Sequence, residues 1–240
     1  LDLGTPSDNS ISTAKLVANS VTAAKFNADV ISGQTALASA PADTDEFLVS
    51  DAGVLKRIDY SLIKGGGMWE YISSQTASNS SSIDFTTFST DYRDFQVVIS
   101  SLRPASDEKR IYARFFTGTG GSQAVYTSSG NYMYAEIGQD SATFTDNDAG
   151  TDHMRISNTV GNDSSERANY EVIAYAVHED GYKMIRSWGV HAGHDSGTVA
   201  VDNWAGLAKL ETTDVTGIRI YMQSGNITSG KFSLYGRKHS

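Results

Sequence analysis

From residue 93 onward, apolar and polar side chains alternate with a period of two over one short run after another. Over 93–101, Phe95, Val97 and Ile99 fall on one face, and over 110–117, Ile111, Ala113 and Phe115 oppose Arg110, Tyr112, Arg114 and Phe116. Runs at 170–177 and 182–190 are joined through His178-Glu179-Asp180-Gly181, and Tyr182, Met184, Arg186, Trp188 and Val190 share one side of the second. Ile218, Ile220 and Met222 lead into Ser224-Gly225-Asn226, and Phe232 and Leu234 lie on a closing strand. Period-two runs separated by turn residues predict half-buried antiparallel strands. No amphipathic stripe of helical length follows residue 68. About 170 residues of this kind predict an all-β fold, an antiparallel β-sandwich, jelly-roll-like, with eight or more strands.

The opening stretch is patterned differently. Asn9-Ser10-Ile11-Ser12-Thr13-Ala14-Lys15-Leu16 is nearly repeated ten residues later as Asn19-Ser20-Val21-Thr22-Ala23-Ala24-Lys25-Phe26. Each copy places a capping-type residue before a run of good helix formers, predicting a short helical turn. Each also has too few apolar positions to fold alone, because ordering the backbone costs about 1–2 kcal/mol per residue. Such a unit must bury its stripe against another unit or another chain. Residues 36–43 read as a loop broken at Pro41. Glu46-Phe47-Leu48-Val49-Ser50 and Val54-Leu55-Lys56-Arg57-Ile58-Asp59 then flank Asp51-Ala52-Gly53, a hairpin signal with a predicted three-residue loop. One hairpin is marginal in water. Ile11, Leu16, Val21 and Phe26, together with Phe47, Val49, Leu55 and Ile58, are therefore expected to form an oligomer interface with the same residues of neighbouring chains.

Aromatic residues divide the chain at Gly65-Gly66-Gly67. Residues 1–64 hold no Trp, one Tyr (Tyr60) and two Phe (Phe26 and Phe47), whereas all three Trp, eleven Tyr and seven Phe follow. Aromatics dominate core burial, so the core is expected in a head domain at 68–240. Residues 65–67 then form a glycine hinge after an attachment segment at 1–64. The formal net charge is −9, an unfavourable balance for holding phosphates, so no nucleic-acid partner is expected. Cysteine is absent, which removes disulfides, thiolate zinc sites and cysteine nucleophiles. No run approaches the ~20 apolar residues of a membrane span, so no membrane insertion is expected. Residue 1 is Leu, the pattern of a processed chain or of part of a longer one.

The two repeated phrases, Val30-Ile31-Ser32-Gly33-Gln34-Thr35-Ala36-Leu37, and Ala42-Asp43-Thr44-Asp45-Glu46-Phe47-Leu48-Val49-Ser50-Asp51-Ala52-Gly53 resemble attachment segments of tailed-bacteriophage fibre proteins. The closing words, Gly217-Ile218-Arg219-Ile220 and Ser229-Gly230-Lys231-Phe232-Ser233-Leu234-Tyr235-Gly236, resemble the last two strands of β-sandwich heads in phage structural proteins. The resemblance covers about residues 9–63 and 215–237; between them only the architecture matches. It implies a virion appendage mounted on tail or capsid, commonly a homotrimer. One end would be docked to other virion structural proteins and the head exposed, with adhesion to a host-surface glycan as a further role. The lack of a long repetitive shaft departs from a long tail fibre and favours a spike, short fibre or capsid fibre. The alternatives are a free-standing carbohydrate-binding module, which would be a monomer with saturable sugar binding, and a glycan hydrolase.

Chemistry-bearing groups are sparse. Asp146, Asp148 and Asp152 lie in Asp-Asn-Asp-Ala-Gly-Thr-Asp, where alternate carboxylates could converge on calcium, but Gly150 stands at the fifth position and no Glu closes the pattern, so a solvated polar turn is the expectation and no metal site is assigned. His191 and His194 followed by Asp195 give a His-x-x-His with an acid; a loop position and the lack of further visible ligands set it apart from a zinc site. There is no Gly-x-Ser-x-Gly elbow and no phosphate loop, so the chain is expected to be no enzyme and to need no cofactor. Tyr126, Tyr132 and Tyr134, in a loop rich in Ser and Asn, and Trp204 beside Asp202 and Asn203 are the candidate glycan contacts, since aromatic rings stack on sugars. Packing within the sandwich is the competing reading of each.

Overall fold

The computed structural model describes residue 25 and residues 29–64, 68–137, 144–192 and 199–238. The chain divides into two compact units, Leu1–Gly65 and Gly66–Ser240. The repeat residues Ile11, Leu16, Val21 and Phe26 lie outside the described residues.

The first unit contains α1 (Asp29–Ser32), β1 (Glu46–Asp51), β2 (Val54–Asp59) and α2 (Tyr60–Ile63). β1 and β2 pair antiparallel, with Asp51 opposite Val54. The loop is thus Ala52-Gly53 alone, one residue shorter than the sequence predicts. Both residues have positive φ, 48° and 83°, which is the two-residue turn whose twist matches that of the flanking strands. Asp51 joins the ladder instead of the loop.

The second unit runs, in chain order, through β3 (Glu70–Ser80), β4 (Ser82–Phe85), β5 (Asp94–Pro104), β6 (Ile111–Thr117), β7 (Ala124–Val125), β8 (Tyr132–Ile137), β9 (Phe144–Thr151), β10 (Met154–Arg155), β11 (Ala168–Tyr175), β12 (Lys183–Ala192), β13 (Val199–Ala208), β14 (Val215–Met222) and β15 (Ile227–Arg237). Eight strands form one sheet in the order β3-β15-β5-β11-β12-β13-β8-β9, and β10-β6-β14-β4 with β7 on β6 form the other. All pairings are antiparallel. The fold is the all-β antiparallel sandwich that the period-two runs predict, and the chain crosses between sheets repeatedly. No helix among the described residues is long and apolar enough to cross a membrane.

One continuous core fills the space between the sheets. Ile83, Phe85, Ile111, Ala113, Phe115, Ile218 and Ile220 from the smaller sheet meet Phe95, Val97, Ile99, Val172, Ile185, Phe232 and Leu234 from the larger. At one end the core turns polar. Tyr170 packs across Gly189 of the neighbouring strand. A Cβ added at Gly189 would sit 2.2 Å from the Tyr170 ring and 2.5 Å from the Asn169 carbonyl oxygen. The absence of a side chain there lets Tyr170 lie flat and aim its hydroxyl at the groups described next.

Candidate interaction surface

Among the described residues, the hairpin of the first unit has no core beneath it. No side chain described in this unit is buried. Pairing places Phe47 with Ile58 and Val49 with Lys56 on one face, and Leu48 with Arg57 and Ser50 with Leu55 on the other. The predicted interface set is therefore split: Phe47, Val49 and Ile58 share a face, whereas Leu55 lies opposite them beside Leu48. Leu48 is 71 % exposed and Leu55 67 %. Phe47 and Ile58 are partly covered, the Phe47 ring meeting Tyr60 of α2 at 6.1 Å between centroids. Ion pairs Lys56–Asp51 and Arg57–Glu46, each at 2.5 Å, run along the exposed surface. A two-stranded ribbon on its own is marginal in water.

In the head, the residues singled out for chemistry are mostly consumed by the interior. His191 is in strand β12, not in a loop, and its side chain is buried beside Tyr170 and Asp202; exposures are 4 %, 2 % and 1 %. Tyr170 donates its one hydroxyl proton to Asp202. Its oxygen must then accept from His191 Nδ1, at 2.8 Å, which fixes a proton on that nitrogen. Asp202 also accepts from the Asn158 backbone N–H at 2.8 Å and from Asn158 Nδ2 at 2.9 Å. Burial alone would raise the Asp202 carboxyl, but the bonds from His191, Tyr170 and Asn158 outweigh it and hold it below the ordinary carboxylate value. Tyr170 is pushed well above the usual phenol value by burial and by the Asp202 charge. Arg155 closes the cluster, donating to the Ser157 carbonyl at 3.0 Å and to Asn158, and lying 4.1 Å over the Trp204 ring. The sequence did not connect these residues, because 155–158, 170, 191 and 202 meet only through the sheet order.

The aromatic glycan contacts expected from sequence need correction. Tyr132 is fully buried in β8, where its hydroxyl accepts from the Phe115 N–H at 3.1 Å and donates to the Tyr126 carbonyl at 3.0 Å, tying the two sheets together. Tyr134 and Trp204 are buried against each other at 5.8 Å. Tyr126 is half-buried, and its hydroxyl accepts from Asn131 Nδ2 at 2.7 Å. Tyr132, Tyr134 and Trp204 face inward because β8 and β13 put these positions on the core side, so they offer no ring face to a ligand.

The predicted metal residues do not form a loop site. Asp146 and Asp148 are in strand β9, opposite Glu136 and Tyr134. Asp152 pairs with Arg114 and, at 2.8 Å, with His153. Burial raises its carboxyl, and the His153 bond and the Arg114 charge overcome that and leave it lowered. His194 lies outside the described residues. Among the described residues, no group of three or more His, Cys, Asp or Glu is placed to hold a metal ion.

One surface of the head runs against the usual patterning of a sandwich. In β12 it is Lys183, Ile185, Ser187, Gly189 and His191 that face the core, and Met184, Arg186 and Trp188 that face outward. Ser187 donates to the Ile156 carbonyl and Lys183 to the Glu179 carbonyl, so the inward polar groups are satisfied. The outward row continues onto β13 through Val199 and Val201, both exposed. Two depressions indent this face. One of about 250 Å³ is lined by Met133, Met184, Ala205 and Leu207 among others. The second, of about 150 Å³, lies beside Trp188. No protein-family model matches this chain, and no curated protein matches it.

Proposed function

We propose that the chain is a structural subunit of a tailed-bacteriophage virion appendage, a fibre or spike whose first unit assembles and docks and whose second unit is displayed. The observation that supports this reading most is the contrast in burial: the hairpin closes no core of its own, while the head encloses a continuous one. Burying a leucine side chain is worth about 1.5–3 kcal/mol, so enclosing Leu48, Leu55 and Phe47 in three copies supplies what one chain lacks. The resemblance of the opening phrases to phage attachment segments supplies the biological setting: other virion structural proteins at one end, a host surface at the other. In this reading the chain acts by presentation and adhesion, not by catalysis.

The test is mass in solution. Light scattering should give the full chain three times the protomer mass, and residues 68–240, which carry a complete core, the mass of a monomer. A full chain that is monomeric at micromolar concentration removes the reading.

A further inference from the structure

We propose that the depression beside Trp188 is a glycan-binding subsite, in which the Trp188 indole stacks on one hexopyranose ring and Ser100, Asn169 and Glu171 engage its hydroxyls. This deepens the adhesive part of the function proposed above and rests on that part alone, not on mounting or oligomeric state.

The site begins with an irregularity in β5. Ser100 and Ser101 together stand opposite the single residue Asn169, because the register with β11 shifts between Tyr170–Ile99 and Ala168–Leu102. Ser101 sits at φ 55°, a left-handed conformation that costs a non-glycine residue energy and often marks a functional position. The Asn169 side chain stabilises the bulge, its Oδ1 accepting from the Ser101 backbone N–H at 2.9 Å. That bond also fixes the amide orientation, so Asn169 Nδ2 is left to donate outward. Next along β11, Glu171 lies directly opposite Trp188 of β12. One of its oxygens, Oε2, accepts from Gln96 Nε2 at 3.1 Å, which orients the carboxylate and leaves Oε1 to accept from a ligand.

The resulting hollow has Asn169 and Glu171 of β11 along its middle, flanked by Val98 and Ser100 of β5 on one side and by Trp188 and Val190 of β12 on the other. Trp188 is 48 % exposed although it belongs to a strand whose other face is fully buried. An exposed indole set beside a hydroxyl, an amide and a carboxylate matches a pyranose, which has an apolar C–H face and an edge of hydroxyls that both donate and accept. An aliphatic ligand would leave the carboxylate and amide unpaired, at a cost. A phosphate or nucleic acid would be repelled by Glu171. A second copy of the chain covering the face would have to bury the same two polar groups.

The full-length chain is titrated with the methyl glycosides of glucose, galactose, mannose, N-acetylglucosamine and N-acetylgalactosamine, and screened against immobilised oligosaccharides containing them. Saturable binding to at least one is expected. Trp188→Ala should weaken it about tenfold or more, as loss of one aromatic stack does, and Glu171→Gln several-fold, with melting temperature and mass unchanged. The inference is overturned if no sugar binds, if Trp188→Ala binds as well as the parent, or if Trp188 in the full chain is shielded from acrylamide quenching, as a second copy seated on the face would make it. A trimer that binds no sugar fails this inference alone; a monomer that binds sugar fails the virion reading alone.

Discussion

The hairpin of the first unit and strand β12 of the head both turn apolar side chains to solvent, yet they do so from opposite positions. Leu48 and Leu55 stand open on one face of the ribbon, Phe47 and Ile58 are partly covered on the other, and no described side chain of the unit is buried. Behind Trp188 and Met184 stands a complete core, reached through Ile185, Ser187 and His191 on the strand's inner face. The hairpin's exposure is a deficit that something must fill before the ribbon is stable. The exposure on β12 does not serve the core, and the glycan subsite proposed above would give it a use in recognition. The same exposed apolar residue type therefore predicts loss of assembly in one unit and loss of binding in the other.

The buried cluster that β12 shares with β11 and β13 gives the largest effect. Asp202→Ala removes the acceptor of the buried Tyr170 hydroxyl and of the half-buried Asn158 N–H and Nδ2, and takes the carboxylate away from buried His191, 3.3 Å off. Breaking a buried charged network of this kind costs about 3–5 kcal/mol, read as a fall in the denaturant midpoint of the head. Gly189→Ala follows at about 1–3 kcal/mol, the range for overpacking, since the new methyl meets the Tyr170 ring. Titration sharpens the point. The folded Asp202 carboxyl is lowered by its donors despite burial, so its contribution to stability is present above the unfolded carboxylate value, about pH 4, and is lost as pH falls through the lowered folded value. Its neighbours Tyr170, His191, Asn158 and Arg155 stay the same in Asp202→Asn, which should therefore show a shallower acid limb in a melt-versus-pH series. An unchanged limb would mean that Asp202 is not held ionised by that cluster. Trp188→Ala, on the outer face of the same strand, should shift head stability by no more than about 0.5 kcal/mol, as surface substitutions do. A larger loss would mean that Trp188 belongs to the packing after all.

The strands themselves were legible from the period-two runs: β5, β6, β11, β12, β14 and β15 stand where the alternation puts them. Which face turns inward was not legible. In β12 the alternation separates Met184, Trp188 and Val190 from Lys183, Ser187 and His191, and simple hydrophobicity would bury the first set. The second set is buried because Ile156, Glu179, Tyr170 and Asp202 supply its hydrogen bonds, and these partners are brought near only by the folded sheet order. The same gap explains the glycan residues. Tyr132 reads as a loop aromatic until the Phe115 and Tyr126 backbone groups are placed around its hydroxyl. The bulge at Ser100 and Ser101 carries no glycine to announce it, and its support, Asn169, comes from another strand.

The smallest expected effect tests whether the hairpin is truly in deficit. Its exposed ion pairs, Lys56–Asp51 and Arg57–Glu46, are another device that could hold the ribbon, beside the Phe47–Tyr60 contact. Both are solvent-facing, and such pairs contribute about 0.2–1 kcal/mol, less in salt. Lys56→Ala with Arg57→Ala should therefore leave amide exchange in β1 and β2, and the mass of the full chain, nearly unchanged. Leu48→Asp with Leu55→Asp should instead speed exchange and dissociate the proposed trimer without altering the melting of the head. Were the charge variant to open the ribbon and the leucine variant to spare it, the hairpin would be a self-sufficient, charge-stapled element, and the deficit that separates it from β12 would not exist.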